Sequence, residues 1–420
     1  MNKLLIGGGT RVRGRVRVSG SKNATLPIMA ACLLARKECI LHQVPDLDDV
    51  KVMEEVLVSL GARVKRENGT LVINPENINS YELPEYLSRR MRASNLVMGA
   101  LLGRFGKARV SYPGGCAIGQ RPMDIHLKGF REMGYKIEEC YGYIEGQAAQ
   151  LSDCEIMLDF PSVGATENLM MAAAVSSGNT VIRNAAREPE IVDMQNFLNR
   201  MGARIRGAGL DVIRIEGVGE LNGVEHEVIP DRIEAGTFMV LAAVSKGDVV
   251  IENVVAEHLV PVTAKIRETG AEVIQHNGGT LRVLGKRKLG PVDIKTMPYP
   301  GFPTDMQPQM MALLAGVEGT SVIVETIFEN RFMHVNELRR MGADIKVEGR
   351  VAIIKGKNRL RGAAVEATDL RAGAALVIAA VGCTEETIID NAFHIDRGYE
   401  KIEEKLGALG IKAVRIASDN

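Results

Sequence analysis

Residues 112–122 read Tyr-Pro-Gly-Gly-Cys-Ala-Ile-Gly-Gln-Arg-Pro, with three glycines, two prolines, one arginine and one cysteine in eleven positions. That composition predicts an exposed loop rather than a helix or strand. A thiol at Cys116, five residues before Arg121, has two readings. It is an inert packing group, as free cysteines usually are, or a nucleophile or acid/base whose pKa a nearby cation lowers. The inert reading fits Cys32, Cys39, Cys154 and Cys383, which lie in apolar or strand-like stretches, whereas Cys116 stands apart in its setting.

A second set of reactive residues sits at the starts of apolar stretches: Lys22, Arg92, Arg232 and Arg371. A helix N-terminus carries unpaired N–H groups and the positive end of the dipole, so Ser, Thr and Asp are ordinary there and cations are not. These four are either solvated side chains beside ordinary caps or the binding groups of an anion site. Arg331, in FENRFMH (328–334), and Arg397, in HIDRGYE (394–400), either pair with adjacent carboxylates or extend such a site. Arg187, next to Glu188 and Glu190, reads as a structural ion pair. His334 and His394 read as helix-entry or packing residues, since no third ligand has suitable spacing, and no metal is implied. The absence of GxGxxG and GxxxxGK[ST] gives no support to a dinucleotide fold or a P-loop.

Positioning these residues requires a repeated framework. The phrases Leu60-Gly61-Ala62, Met133-Gly134-Tyr135, Met201-Gly202-Ala203, Thr269-Gly270-Ala271, Met341-Gly342-Ala343 and Leu409-Gly410-Ile411 place glycines 68 to 73 residues apart. Each phrase closes an amphipathic helix and precedes an alternating, strand-like stretch, so the glycine is the helix cap. A more apolar helix recurs at one phase of each unit, near 26–34, 94–102, 166–175, 237–244, 306–317 and 372–381, followed by strands such as 180–183, 248–252, 321–325 and 387–390. Six units of this size exceed solenoid repeats and predict two globular groups of three. The expected division is residues 22–229 against 1–21 plus 230–420, with a leftover opening strand at 4–18 that pairs with the second group. The starts of the apolar helices are then expected to meet at a cleft between the groups.

Composition agrees with that size, since a single core rarely grows beyond about 250–300 residues. Lys plus Arg equals Asp plus Glu at 52 each, so no overall field favours nucleic acid or a membrane surface, and any anion site is local. The opening MNKLLIGGG holds too short an apolar run for a signal peptide, and no run approaches the ~18 residues of a membrane span. The six cysteines form no CxxC pair, and a reducing cytoplasm is the expected setting.

Nine phrases in order carry a family resemblance: SGSKNATLP (19–27), RASN (92–95), PGGCAIGQRPMD (113–124), SVGAT (162–166), AAREPEIVD (185–193), PDRIEAGTF (230–238), FPTDMQ (302–307), ENRFMHV (329–335) and HIDRGYE (394–400). They span essentially the whole chain and resemble the enolpyruvyl transferases, in particular those with a UDP-N-acetylglucosamine acceptor that begin peptidoglycan synthesis. The resemblance implies an α/β fold, a two-domain inside-out α/β barrel of six βαβαββ-type repeats, three per domain, with the active site in the interdomain cleft. It implies transfer of the enolpyruvyl group of phosphoenolpyruvate to the sugar 3′-hydroxyl, no cofactor, and no metal, nucleic-acid or membrane partner.

By the same resemblance, Cys116 is the acid that protonates C3 or assists product release, and the site of a phosphoenolpyruvate adduct. Asp305 is the general base. Lys22, Arg121 and Arg397 bind phosphate and carboxylate, with Arg331 and Arg371 contributing, and Asn23 holds the sugar. Arg92, Arg121, Pro122, Met123, Asp124, Ile125, Ser162, Val163, Gly164 and Ile327 contact the UDP part. Phe160 departs from the pattern, since many relatives carry lysine there, which puts one diphosphate contact in doubt. The alternatives are a 5-enolpyruvylshikimate-3-phosphate synthase, disfavoured by the cysteine loop, and a binding-only regulator, disfavoured by the presence of Lys22, Cys116, Asp305 and Arg397 together. The resemblance also implies sensitivity to the epoxide antibiotic fosfomycin. Mass spectrometry of the treated protein should find the drug on the peptide containing Cys116, and an unmodified peptide would contradict this assignment.

Overall fold

The computed structural model describes residues 3–112, 114, 123–357 and 359–416. Cys116, Arg121 and Pro122 therefore lie outside the described residues. The chain forms two compact units, one taking in the sequence up to Ser19 and from Pro230 onward, the other most of the sequence from Gly20 to Ile229. Each has its own apolar core.

Sequence pattern dictates the layering within each unit. Helices Arg232–Val244, Gln307–Ala315 and Leu370–Gly382 are apolar on every side and are buried almost end to end. A helix without a polar face must sit inside, and these three pack on one another. Lys22–Ala31, Val97–Phe105 and Val163–Ala174 are the corresponding buried helices of the other unit. Amphipathic helices Asp48–Ser59, Asp124–Glu132, Pro189–Arg200, Val260–Glu268, Val335–Arg340 and Ile402–Ala408 alternate with them along the chain. The glycine after each amphipathic helix has a positive φ, from 83° at Gly410 to 111° at Gly202. At Gly202, Gly342 and Gly410 an added Cβ would meet nothing within 4 Å, so conformation and not space requires glycine.

Among the described residues six small sheets, one per repeat, complete the units. Five contain one parallel pair, such as Cys154–Met157 with Asn179–Arg183, beside antiparallel strands. In the second repeat the parallel partner shrinks to a single bridge from Glu82 to Arg109. The pairing closes on itself in each unit: Glu225–Glu227, late in the third repeat, pairs in parallel with Cys39–His42 of the first.

The opening segment corrects the expectation of one strand over 4–18. It forms two strands in two sheets. Lys3–Ile6 inserts between Thr387–Asp390 and Ala413–Ile416, and Arg13–Arg17 pairs in parallel with Asp248–Glu252. Gly7-Gly8-Gly9 makes the break. A Cβ on Gly8 would stand 2.4 Å from the Cys383 carbonyl oxygen, and Gly9 has φ +74°. Among the described residues no helix is long and apolar enough to cross a membrane.

Candidate active site

In the unit that contains both termini, three polar side chains that the sequence singled out are brought together. Asp305 lies in the short turn Thr304–Met306 that leads into helix Gln307–Ala315. Pro303 and Pro308 flank the turn, holding the approach extended and then fixing φ for the first helical turn. Asp305 Oδ1 accepts from Arg331 Nη2 at 2.9 Å, and Oδ2 accepts from Arg371 Nη2 at 2.9 Å. The guanidinium side chains are only 2% and 5% exposed, against 26% for the carboxylate. Two buried cations thus share one carboxylate, each held by a charge-assisted hydrogen bond. Burial pulls the Arg371 pKa down, but Asp305, Tyr399 and Asp231 outweigh it and the guanidinium stays firmly charged.

A buried hydroxyl ties these helices together. Tyr399 OH receives Arg371 Nη1 at 3.3 Å and Gln309 Nε2 at 3.4 Å, and lies 2.9 Å from Thr237 Oγ1. Thr237, Gln309 and Arg371 come from the three core helices, so one phenol fixes their mutual register. Asp231 and Asp369 cap two of these helices, each accepting two backbone N–H groups. Glu325, fully buried, accepts from Thr296, Thr304 and the backbone N–H groups of Ile327 and Phe328. Ile327 and the turn bearing Asp305 are therefore set by one carboxylate. Arg397 is half-buried and ends the short helix Phe393–Asp396.

In the other unit Lys22 opens helix Lys22–Ala31 behind a Ser21 cap, with half-buried Asn23 next to it. Its ammonium pairs with Asp49 at 3.1 Å, the side chains being 11% and 7% exposed. The cation at the helix start is thus compensated by Asp49, a carboxylate in the first turn of helix Asp48–Ser59.

Three further segments converge in this unit. Asn168 Oδ1 accepts from Gly99 N at 2.7 Å, and Nδ2 reaches the Asn95 carbonyl and His126 Nδ1. Asn95 Nδ2 lies 3.0 Å from Met123 Sδ, and a Cβ on Gly164 would stand 3.3 Å from His126 Cε1. These contacts assemble the Arg92 turn, Met123 to Ile125 at the start of Asp124–Glu132, and Ser162 to Gly164 at the start of Val163–Ala174. Ser162 is the cap, its Oγ accepting from Ala165 N. Nearby Phe160 is 40% exposed, and Lys128 pairs with Asp159.

Sequence reasoning missed Asp49, Glu325 and the Asn168–His126 pair; a polar residue inside an otherwise apolar helix was the available signal for Asn168. It also assigned Arg187 an ion pair with Glu188 or Glu190 that is absent among the described residues. Arg187 is exposed while Glu190 turns into the core at 2% exposure. Cys154, expected to be buried, is half-buried. Among the described residues no cluster of three or more His, Cys, Asp or Glu side chains is arranged to hold a metal ion.

Each unit also buries a neutral histidine. Burial, with Arg92 adding, lowers His126 to about 3. Burial lowers His334 to about 4, Arg331 lowering it further and Asp369 opposing. Because the unfolded chain takes up these protons below the ordinary value of 6.5 and the folded chain does not, each histidine contributes full stability above 6.5. It loses about 1.4 kcal/mol per pH unit as pH falls toward its folded value. Ring-proton NMR shifts of both residues should stay constant as pH falls from neutral through 6.5, and a titration midpoint near 6.5 would contradict their burial.

Comparison with known proteins agrees with this architecture. The family model for EPSP synthase (3-phosphoshikimate 1-carboxyvinyltransferase) matches residues 6–406. UDP-N-acetylglucosamine 1-carboxyvinyltransferase 2 of Carboxydothermus hydrogenoformans is 58% identical over 418 residues, covering 99% of this chain and 100% of that protein. UDP-N-acetylglucosamine 1-carboxyvinyltransferase 1 of Caldanaerobacter subterraneus is 58% identical over 404 residues, covering 96% and 97%. The crystal structure of the enolpyruvyl transferase NikO from Streptomyces tendae superposes with a TM-score of 0.88 at 27% identity, covering 98% of each chain. An EPSP synthase from Acinetobacter baumannii shares the fold at 18% identity, with a TM-score of 0.76. By full-length identity and by fold, the chain belongs to the enolpyruvyl transferase family, among the UDP-N-acetylglucosamine 1-carboxyvinyltransferases.

Proposed function

We infer that the protein transfers the enolpyruvyl group of phosphoenolpyruvate to the 3′-hydroxyl of UDP-N-acetylglucosamine and releases phosphate. The observation that carries this reading is 58% identity along the whole chain to proteins named for that activity. The EPSP synthase description of the family model denotes the wider family, and the solved EPSP synthase is only 18% identical.

The chemistry proceeds by addition and elimination. Protonation of C3 makes C2 electrophilic, the 3′-oxygen adds to C2 as its proton is removed, and loss of phosphate with a C3 proton restores the vinyl ether. Asp305 is the base for the 3′-hydroxyl, a role that requires direct hydrogen-bond reach in the reacting complex. Cys116 handles the C3 proton and carries the phosphoenolpyruvate adduct. Lys22, Arg121 and Arg397 hold the donor's phosphate and carboxylate, and Arg331 and Arg371 add positive charge while orienting Asp305. Such fixed cations stabilise the charge that develops on the donor oxygens.

Asn23 holds the sugar. Arg92, Arg121, Pro122, Met123, Asp124, Ile125, Ser162, Val163, Gly164 and Ile327 receive the UDP part. The two domains, divided near residues 22 and 230, act on one pair of substrates. A thiol that must stay reduced for this work goes with a cytoplasmic setting.

Phosphate release from phosphoenolpyruvate, measured with each acceptor, tests the reading. UDP-N-acetylglucosamine should support release and shikimate 3-phosphate should not. Release with shikimate 3-phosphate alone would assign the other reaction, and release with neither would leave a binding protein.

A further inference from the structure

Ser19 is the last residue of its unit before the chain crosses to the other, and all of its polar groups are engaged by the unit it leaves. Its N–H donates to Glu234 Oε2 at 2.8 Å, and its carbonyl accepts from Asp231 N at 2.9 Å. Its hydroxyl donates to Glu400 Oε2 at 2.5 Å and accepts from Lys405 Nζ at 2.7 Å. Lys405 Nζ also donates to Glu234 Oε1 at 2.5 Å, with side-chain exposures of 15% for the lysine and 2% for the glutamate.

Four stretches of chain meet at this point. Glu234 lies in the first turn of helix Arg232–Val244, and Glu400 follows Arg397 by three residues. Between Glu400 and the helix Ile402–Ala408 that carries Lys405, the backbone turns sharply at Lys401, whose φ is +45°. A side chain with a Cβ is uncommon in that conformation and persists where surrounding contacts hold it.

We propose that Lys405 is a positioning residue for Arg397: bridging Glu234 and Ser19, and through Ser19 Glu400, it fixes the 397–400 segment against the helix start at Asp231. A surface ion pair would leave the segment free to shift, since such pairs are weak and screened. Here the carboxylate is buried, so removing its ammonium leaves a charge that must find other partners, and the Ser19 hydroxyl loses the donor that directs its own proton toward Glu400. The proposal rests on the reading that Arg397 binds the donor.

Steady-state kinetics of Lys405→Met test it. The KM for phosphoenolpyruvate should rise about tenfold, with kcat and the KM for UDP-N-acetylglucosamine within about twofold of the parent. Lys405→Arg should restore most of the loss. Ser19→Ala, which keeps the ion pair and the backbone bonds, should shift the donor KM in the same direction by less. If Lys405→Met alone does not fold, the double variant Glu234→Gln with Lys405→Met removes the lone buried charge and replaces it in the test. An unchanged donor KM in a folded variant overturns the proposal, as does a parallel rise in both KM values, which marks general loosening. Parent enzyme without donor-dependent turnover would overturn the function itself, and with it this inference.

Discussion

A helix that is apolar on every side can display charge only at its ends, and the rest of this structure depends on how that constraint is met. The three core helices of the unit holding both termini are joined near their starts by Tyr399 OH, and beside it Asp305 takes one hydrogen bond from each of two almost fully buried guanidiniums. Burying two cations is costly unless carboxylates and hydrogen bonds surround them, and neither charge can be removed without stranding the other. The fold therefore builds a site of fixed, paired charges as a consequence of packing helices inside and sheets outside.

The same rule governs the other unit with different residues. Lys22 at a helix start is matched by Asp49 from a neighbouring amphipathic helix, and Asn168 turns the interior of an apolar helix toward His126 and the backbone at Gly99. Neutral imidazoles at His126 and His334 accompany these arginine-bearing turns without adding to their charge. Cations, carboxylates and neutral rings are thus held in place before any substrate arrives, which is the condition for electrostatic stabilisation of a developing charge.

Much of this framework was legible in the sequence because it is local. Gly61 and its five counterparts announce helix ends through a conformation only glycine adopts readily, and the apolar helices stand out through composition alone. Long-range partners were not legible. That Asp305 bridges Arg331 and Arg371, 26 and 66 residues away, has no local signature. Neither has the pairing of Lys22 with Asp49, whose carboxylate looks like any first-turn residue. The opening segment misled for a related reason: its alternating residues fit one strand, and only the approach of Gly8 to the Cys383 carbonyl shows why the chain breaks there. Arg187 misled in the opposite way, because adjacency in sequence suggested a pair that burial of Glu190 prevents.

The most direct test of the account is Asp305→Asn, which matches the side chain in size, keeps one acceptor oxygen for the arginines and removes the charge and basicity. With phosphoenolpyruvate and UDP-N-acetylglucosamine, the folded variant should lose about 10²- to 10⁴-fold in kcat, the range for loss of a general base, while both KM values change far less. A kcat close to that of the parent would contradict the claim that the carboxylate held by Arg331 and Arg371 performs the proton transfer.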